Sequence, residues 1–255
     1  MRSLLVAAFL AAASAHAQDI PLAERRSGYE SMGRETRAMQ DDDTANPATF
    51  WVLEGEASWK KKAGAANRAC SECHGDASAS MKGVAARYPS FDAKRGRLVN
   101  LEQRINACRV ERQEAKPLAY EGRELLALTT YVARQSRGMP IDIAPDTSTQ
   151  ANLDAGRSLY NRKIGQIDLS CAQCHDRNWG RHLAGNPIPQ AHPTGYPIYR
   201  LEWQGVGSLQ RRLRNCMSGL RAEAFEFGAQ ELVDLEYYLM WRARGMRVET
   251  PAVRP

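Results

Sequence analysis

Apolar residues recur at spacings of three and four between Arg123 and Arg137 and again between Gln230 and Arg244, and each run stops at a glycine, Gly138 or Gly245. That period predicts two amphipathic helices. Leu101 to Cys108 and Leu209 to Arg221 read as two further helical segments. Small and turn-forming residues dominate after His74 and, more strongly, after His175, and predict loops there. One stretch is apolar without any period: Leu4 to Ala13, preceded by Met1-Arg2 and followed by Ala15-His16-Ala17. A basic start, a short apolar run and an A-x-A site predict a secretory signal peptide over residues 1–17, too short to anchor permanently in a bilayer. The mature chain is then expected to begin near Gln18 and to work in the periplasm. No later stretch is long and apolar enough to span a membrane.

The helical pattern repeats. Glu54-Gly55-Glu56-Ala57-Ser58-Trp59 corresponds to Ala155-Gly156-Arg157-Ser158-Leu159-Tyr160, and Tyr88-Pro89 to Tyr196-Pro197. Leu101 to Cys108 then matches Leu209 to Cys216, and Glu124 to Met139 matches Glu231 to Met246. The four offsets are 101, 108, 108 and 107 residues, so the same features recur in one order. This predicts a duplicated, mainly α unit: a first domain over residues 51–145 and a second over 146–255. Pro140 to Ser148 reads as the linker, and residues 18–50 as an N-terminal extension that packs against the domains.

Each copy carries one chemical signature. Cys70-Ser71-Glu72-Cys73-His74 and Cys171-Ala172-Gln173-Cys174-His175 are both C-x-x-C-H, the attachment pattern of c-type haem. Two thiols three positions apart reach the two vinyl groups of one porphyrin, and the adjacent histidine becomes the proximal iron ligand. A zinc ion shared by the two C-x-x-C pairs is the rival. Zinc ribbons space their pairs by roughly 15 to 20 residues, whereas 97 residues lie between Cys73 and Cys171. The motifs therefore predict two tandem cytochrome c-like domains, with Cys70, Cys73, Cys171 and Cys174 as attachment points and His74 and His175 as iron ligands. Export agrees with this, because c-type haem is attached outside the bacterial cytoplasm.

Charge then changes little. The chain is formally +6, loses Arg2 with the leader, and gains the propionates of two haems, so its basicity is no argument for nucleic acid.

Two cysteines remain, Cys108 and Cys216, at equivalent places in the repeat. Each follows its own histidine, by 34 and 41 residues, and precedes the last helix, where a small cytochrome c supplies its distal ligand. Equivalent positions point each sulfur at its own iron. A Cys108–Cys216 disulfide is the competing reading in an oxidising compartment. Among other distal candidates, Met139 and Met246 lie beyond the last helix of each copy, Met81 and Met217 have no counterpart, and His182 or His192 could serve the second haem. Thiolate ligation would hold the iron ferric and its potential low, which suits sulfur chemistry better than simple electron carriage. Arg212 stands four residues before Cys216 and shares its helix face, so a guanidinium there could hold an oxyanion against the sulfur. Arg211 and Arg214 read equally well as surface arginines.

With these motifs, the two later cysteines and the segment Arg212-Leu213-Arg214-Asn215-Cys216-Met217, the sequence resembles the SoxA family, dihaem subunits of the SoxAX cytochromes of thiosulfate-oxidising bacteria. The resemblance spans essentially the whole mature chain. It implies L-cysteine S-thiosulfotransferase activity: thiosulfate is joined oxidatively to a cysteine of the SoxYZ carrier, and electrons leave through haem to the monohaem partner SoxX and on to a cytochrome c. It further implies His74 with Cys108, and His175 with Cys216, as axial pairs. Cys216 would be the catalytic centre, carrying a persulfide, and Arg212 the substrate-binding arginine. Some family members lack the first haem, which implies a structural or vestigial first domain. A plain dihaem electron carrier, a dihaem peroxidase and a purely structural haem subunit are the competing functions.

Overall fold

The computed structural model describes residues 20–255. The expected signal peptide over residues 1–17 lies outside them. The chain opens with α1 (Arg34–Asp41) and α2 (Thr49–Lys60), then runs through α3 (Cys70–His74), which carries the first motif, and the single turn α4 (Ala77–Ser80). A hairpin of β1 (Ser90–Asp92) and β2 (Arg97–Val99) leads into α5 (Leu101–Gln113) and α6 (Arg123–Arg134). The second copy repeats this order: α7 (Gln150–Asn161), α8 (Cys171–His175) with the second motif, a small hairpin of β3 (His182–Leu183) and β4 (Asn186–Pro187), the hairpin β5 (Ile198–Arg200) and β6 (Gly205–Gly207), then α9 (Leu209–Gly219) and α10 (Gln230–Arg242). A last strand, β7 (Ala252–Arg254), pairs parallel to β5. No helix of the described residues is long and apolar enough to cross a membrane.

Local signals place these elements. Asn100 accepts from the Gln103 amide at 2.9 Å while Gln103 accepts from the Asn100 amide, a capping box that starts α5. Ser208 caps α9 by accepting from the Arg211 amide, and Ser170 with Gln173 starts α8 with a second capping box. In the first motif Ala69 has no side chain to cap with, so only Glu72 reaches back, 2.6 Å from the Ala69 amide.

Each copy is built on one helix pair, α2 against α6 and α7 against α10. Both pairs close on a glycine: a Cβ on Gly55 would sit 2.1 Å from the Ala127 carbonyl oxygen, and one on Gly156 2.1 Å from that of Asp234. The backbones touch there, which is why the repeat needs glycine at both places. A second matched pair holds the loop before each motif. Gly64 and Gly165 take positive φ and press against the carbonyl oxygens of Gln113 and Leu220, at the ends of α5 and α9. Each motif is thus seated on the helix that carries its copy's later cysteine.

The copies meet through repeat-equivalent residues. Tyr120 and Phe227, equivalent in the repeat, stack on each other with centroids 5.9 Å apart. The two Tyr-Pro bonds, at Tyr88 and Tyr196, are both cis.

Pro140 to Ser148 is more than a linker. Ile141 and Ile143 are buried in the core of the second copy, and the Ile141 amide donates to the Met246 carbonyl at 2.8 Å. The segment is loop, as the flanking prolines signal, and it buries two isoleucines as well. The loop expected after His74 contains α4 and a 3-10 turn at Ala85–Arg87, because Asp76 caps the Ser78 amide at 2.9 Å. The N-terminal extension packs on the second copy and on β7: Asn46 donates to the Pro251 carbonyl at 2.9 Å, and the Val253 amide to Gln40 at 3.1 Å.

Candidate active site

Two cavities of similar size lie one in each copy. The first, about 250 Å³, has Cys70, Cys73 and His74 on one wall and Cys108, Arg104 and Ile105 from α5 on the other, over an apolar floor of Trp59, Leu128 and Val132. Trp59 holds the motif from behind, its Nε1 donating to the Gly75 carbonyl at 3.0 Å and its ring 5.5 Å from that of His74. Gln113 donates to the Arg68 carbonyl at 2.8 Å and reaches the Cys70 sulfur at 3.8 Å. Burial pushes the Cys108 thiol above its usual pKa, and Arg104 pulls it back.

The second cavity, about 280 Å³, brings together His175, Arg212 and Cys216. His175 Nδ1 lies 2.7 Å from the Pro189 carbonyl oxygen. A carbonyl can only accept, so Nδ1 carries the proton and Nε2 keeps its lone pair for a metal. Burial lowers the His175 pKa, further favouring the neutral ring, with Arg212 acting the same way. Cys171 is pushed up to about 12, by burial first and then by the nearby Cys216.

These residues fit covalent haem c. Each motif presents two cysteines and a histidine along one helical turn, and each cavity has a cysteine sulfur on a second helix facing it. All six cysteines are free, and Cys108 and Cys216 line different cavities, so the disulfide reading does not describe this structure. Among the described residues no three His, Cys, Asp or Glu side chains converge as a metal-ion site, so the two C-x-x-C pairs do not share one zinc.

The arginines around Cys216 separate cleanly. Arg214 donates to the Phe225 carbonyl and lies 4.4 Å over the Phe227 ring. Arg211 lies 4.3 Å over Trp203 and 3.9 Å from Glu121. Both are used in packing. Arg212 alone of the three lines the cavity, and its side chain makes no hydrogen bond or ion pair among the described residues.

Of the two histidines considered as ligands, His182 stands on the exposed hairpin and does not line the cavity. His192 does, but its Nδ1 is engaged 2.9 Å from the Arg26 carbonyl, and burial lowers its pKa to about 4. Met246 packs against the second core, and the Met139 methyl lies against Gly83.

One supporting set went unnoticed in the sequence. Gln190 accepts from the Arg26 amide at 2.7 Å and donates to the Glu24 carbonyl at 3.2 Å, while its own carbonyl faces Arg242 Nη2. The same Arg242 nitrogen is 2.6 Å from Asp176, which also accepts from Tyr160 at 2.8 Å. The N-terminal extension thus braces the loop whose Pro189 carbonyl orients His175. Gln190 has no motif around it, and its partners lie 164 and 166 residues away.

Two helical copies, each with a C-x-x-C-H turn opposite a cysteine, define a tandem c-type cytochrome with sulfur facing its cofactor sites. The SoxA/TsdA cytochrome c domain matches twice, over residues 54–141 and 155–248, and the chain belongs to that family. Haem c is therefore its cofactor. The L-cysteine S-thiosulfotransferase subunit SoxA of Pseudaminobacter salicylatoxidans is 38% identical over 235 residues, covering 92% of this chain and 82% of that protein. The subunit of the same name from Rhodovulum sulfidophilum is 36% identical over 231 residues, covering 91% and 80%. The crystal structure of SoxXA from P. pantotrophus superposes with a TM-score of 0.87 at 31% identity, covering 91% of this chain and 87% of that one.

Proposed function

We propose that this chain is the subunit of a periplasmic L-cysteine S-thiosulfotransferase that joins thiosulfate to a cysteine of a SoxYZ-like carrier protein. It holds two haems, attached at Cys70 and Cys73 and at Cys171 and Cys174. His74 with Cys108 would hold the iron of the first, and His175 with Cys216 that of the second. A SoxX-like monohaem cytochrome is its partner, which the likeness to a SoxXA chain supports. One observation carries the reading: Cys216 shares a cavity with Arg212, which has no hydrogen bond or ion pair among the described residues, and with His175, whose ring is oriented from behind by Pro189.

Joining thiosulfate to a thiol through a new sulfur–sulfur bond releases one proton and two electrons. Haem c, when bound, supplies the acceptor for those electrons. Arg212 holds the sulfonate oxygens through charge-assisted hydrogen bonds and turns the sulfane sulfur toward the sulfur at Cys216. Exchange with the carrier's cysteine then moves the thiosulfate unit off Cys216. A peroxidase needs an open distal position, and a cysteine facing each motif argues against one.

The test is a steady-state assay of the holoprotein, with its monohaem partner, on thiosulfate and the carrier. Cys216→Ala that retains both haems is expected to lose turnover. Wild-type turnover in that variant would refute the reading.

A further inference from the structure

The duplication supplies an internal comparison for Arg212. Its counterpart in the first copy, Arg104, also precedes a cysteine by four residues and also lines its copy's cavity. Arg104 is not free there. Its Nη2 lies 3.2 Å from Asp92 Oδ2, and its Nε donates to the Tyr88 hydroxyl at 3.2 Å. Asp92 is the last residue of β1, with its side chain only 5% exposed. The last residue of the matching strand β5 is Arg200. The acid that neutralises the arginine in one copy is replaced by a second arginine in the other.

Arg200 lines the Cys216 cavity together with Arg212, and its side chain is 14% exposed. Its Nε lies 2.8 Å from Glu202, whose own side chain is 47% exposed, and its guanidinium stands 5.3 Å over Trp203. Glu202 approaches by distance only, and no nitrogen of the Arg200 guanidinium donates a hydrogen bond among the described residues. The third arginine on the lining, Arg254, is already engaged by Gln40 and Glu249. Burial first and then the charge of Arg212 lower the Arg200 pKa, while Glu202 acts against them, in keeping with two arginines that line one cavity.

We propose that Arg200 is a second substrate-binding residue, which with Arg212 forms a paired-guanidinium seat for the sulfonate end of a sulfur dianion beside Cys216. This rests on the thiosulfotransferase reading and sharpens it. Two planar forks offer more donors than one sulfonate edge needs, and together they match the two charges of thiosulfate. They also select against monoanions and neutral thiols. The first copy, whose arginine is already satisfied by Asp92, lacks such a seat. That difference confines dianion binding to the second copy even though both copies face a cysteine.

The experiment titrates thiosulfate into the holoprotein by calorimetry and measures KM and kcat with the carrier. Arg200→Gln is expected to raise Kd and KM about tenfold or more with a smaller change in kcat, the loss of one charge-assisted contact. Arg200→Lys, which keeps the charge, should recover most of the affinity. Arg211→Gln, off the cavity, should bind as wild type. Haem absorption spectra confirm that each variant is folded and loaded. If Arg200→Gln binds thiosulfate as tightly as wild type while Arg212→Gln does not, the role of Arg200 is refuted and the thiosulfotransferase reading stands. Arg200→Lys as weak as Arg200→Gln, with spectra intact, refutes the charge-based role. A wild-type holoprotein with no affinity for thiosulfate overturns both.

Discussion

Asp92 and Arg104 form an ion pair of 3.2 Å at the rim of the first cavity, with the Asp92 carboxylate buried between Arg104 and Arg95, the latter 2.6 Å away. The amide of Lys94 also donates to it at 3.0 Å. Removing the charge strands two guanidiniums, so Asp92→Asn is expected to destabilise the first copy by roughly 2 kcal/mol. Arg95 and then Arg104 hold the Asp92 carboxyl below its usual pKa. A depressed carboxyl contributes stability above its unfolded value, near 3.8, and loses that contribution as pH falls through the folded value. Denaturant titrations should therefore show a gap between wild type and Asp92→Asn at pH 7 that closes in acid. A gap unchanged at pH 3 would contradict the pairing.

Glu102 and Glu236 behave in the opposite sense. They come from α5 and α10 and are both buried in the seam between the copies. Asn100 Nδ2 stands 3.5 Å from Glu236, and Glu121 and Tyr120 also face the group. Burial, then the charge of Glu121, pushes Glu102 up to about 7, and burial with the charge of Glu102 raises Glu236. A raised carboxyl keeps its stabilising share below the unfolded value near 4.5 and loses it as pH climbs through the folded value. The repeat already shows that a glutamine fits this place, because Gln210 is the counterpart of Glu102. Glu102→Gln should match wild type near pH 4 and exceed it at pH 8 by on the order of 2 kcal/mol. Unfolding midpoints that differ equally at both pH values would exclude this.

Gly156 lets α7 touch α10, and no flexible side chain stands in the way to yield. Gly156→Ala must move backbone, so a loss of about 3 kcal/mol and a fall in melting temperature of roughly 6–12 °C are expected. Gly219 ends α9 with nothing within 4 Å of an added Cβ. Gly219→Ala is expected to be neutral or slightly stabilising. Thermal unfolding of the two holoprotein variants checks both, and equal midpoints would show that the close approach is not limiting.

Much of this was legible in the chain. Motif spacing identifies the cofactor class because thioether and imidazole chemistry depend on residues only three and four positions apart. The duplication was visible for a similar reason: Gly55 and Gly156, and Trp59 and Tyr160, each answer a local packing demand that both copies share, and the two later cysteines each line their copy's cavity. Pro140 to Ser148 is irregular chain, as its prolines signal, but the burial of the isoleucines between them was not legible there. His182 and His192 looked alike in sequence, and only folding puts one on an exposed hairpin and the other against Arg26.

The sequence by itself determined the helical repeat, the two C-x-x-C-H turns, the equivalent places of the two later cysteines, and Arg212 one helical turn from Cys216. The tertiary structure alone decided which charges meet these groups. Asp92 against Arg104, Arg200 and Arg212 lining one cavity, and Gln190 bracing the Pro189 loop from 164 residues away are relationships between separate elements. No local period encodes them, because a side chain's electrostatic partner is set by which strand or loop packs against it.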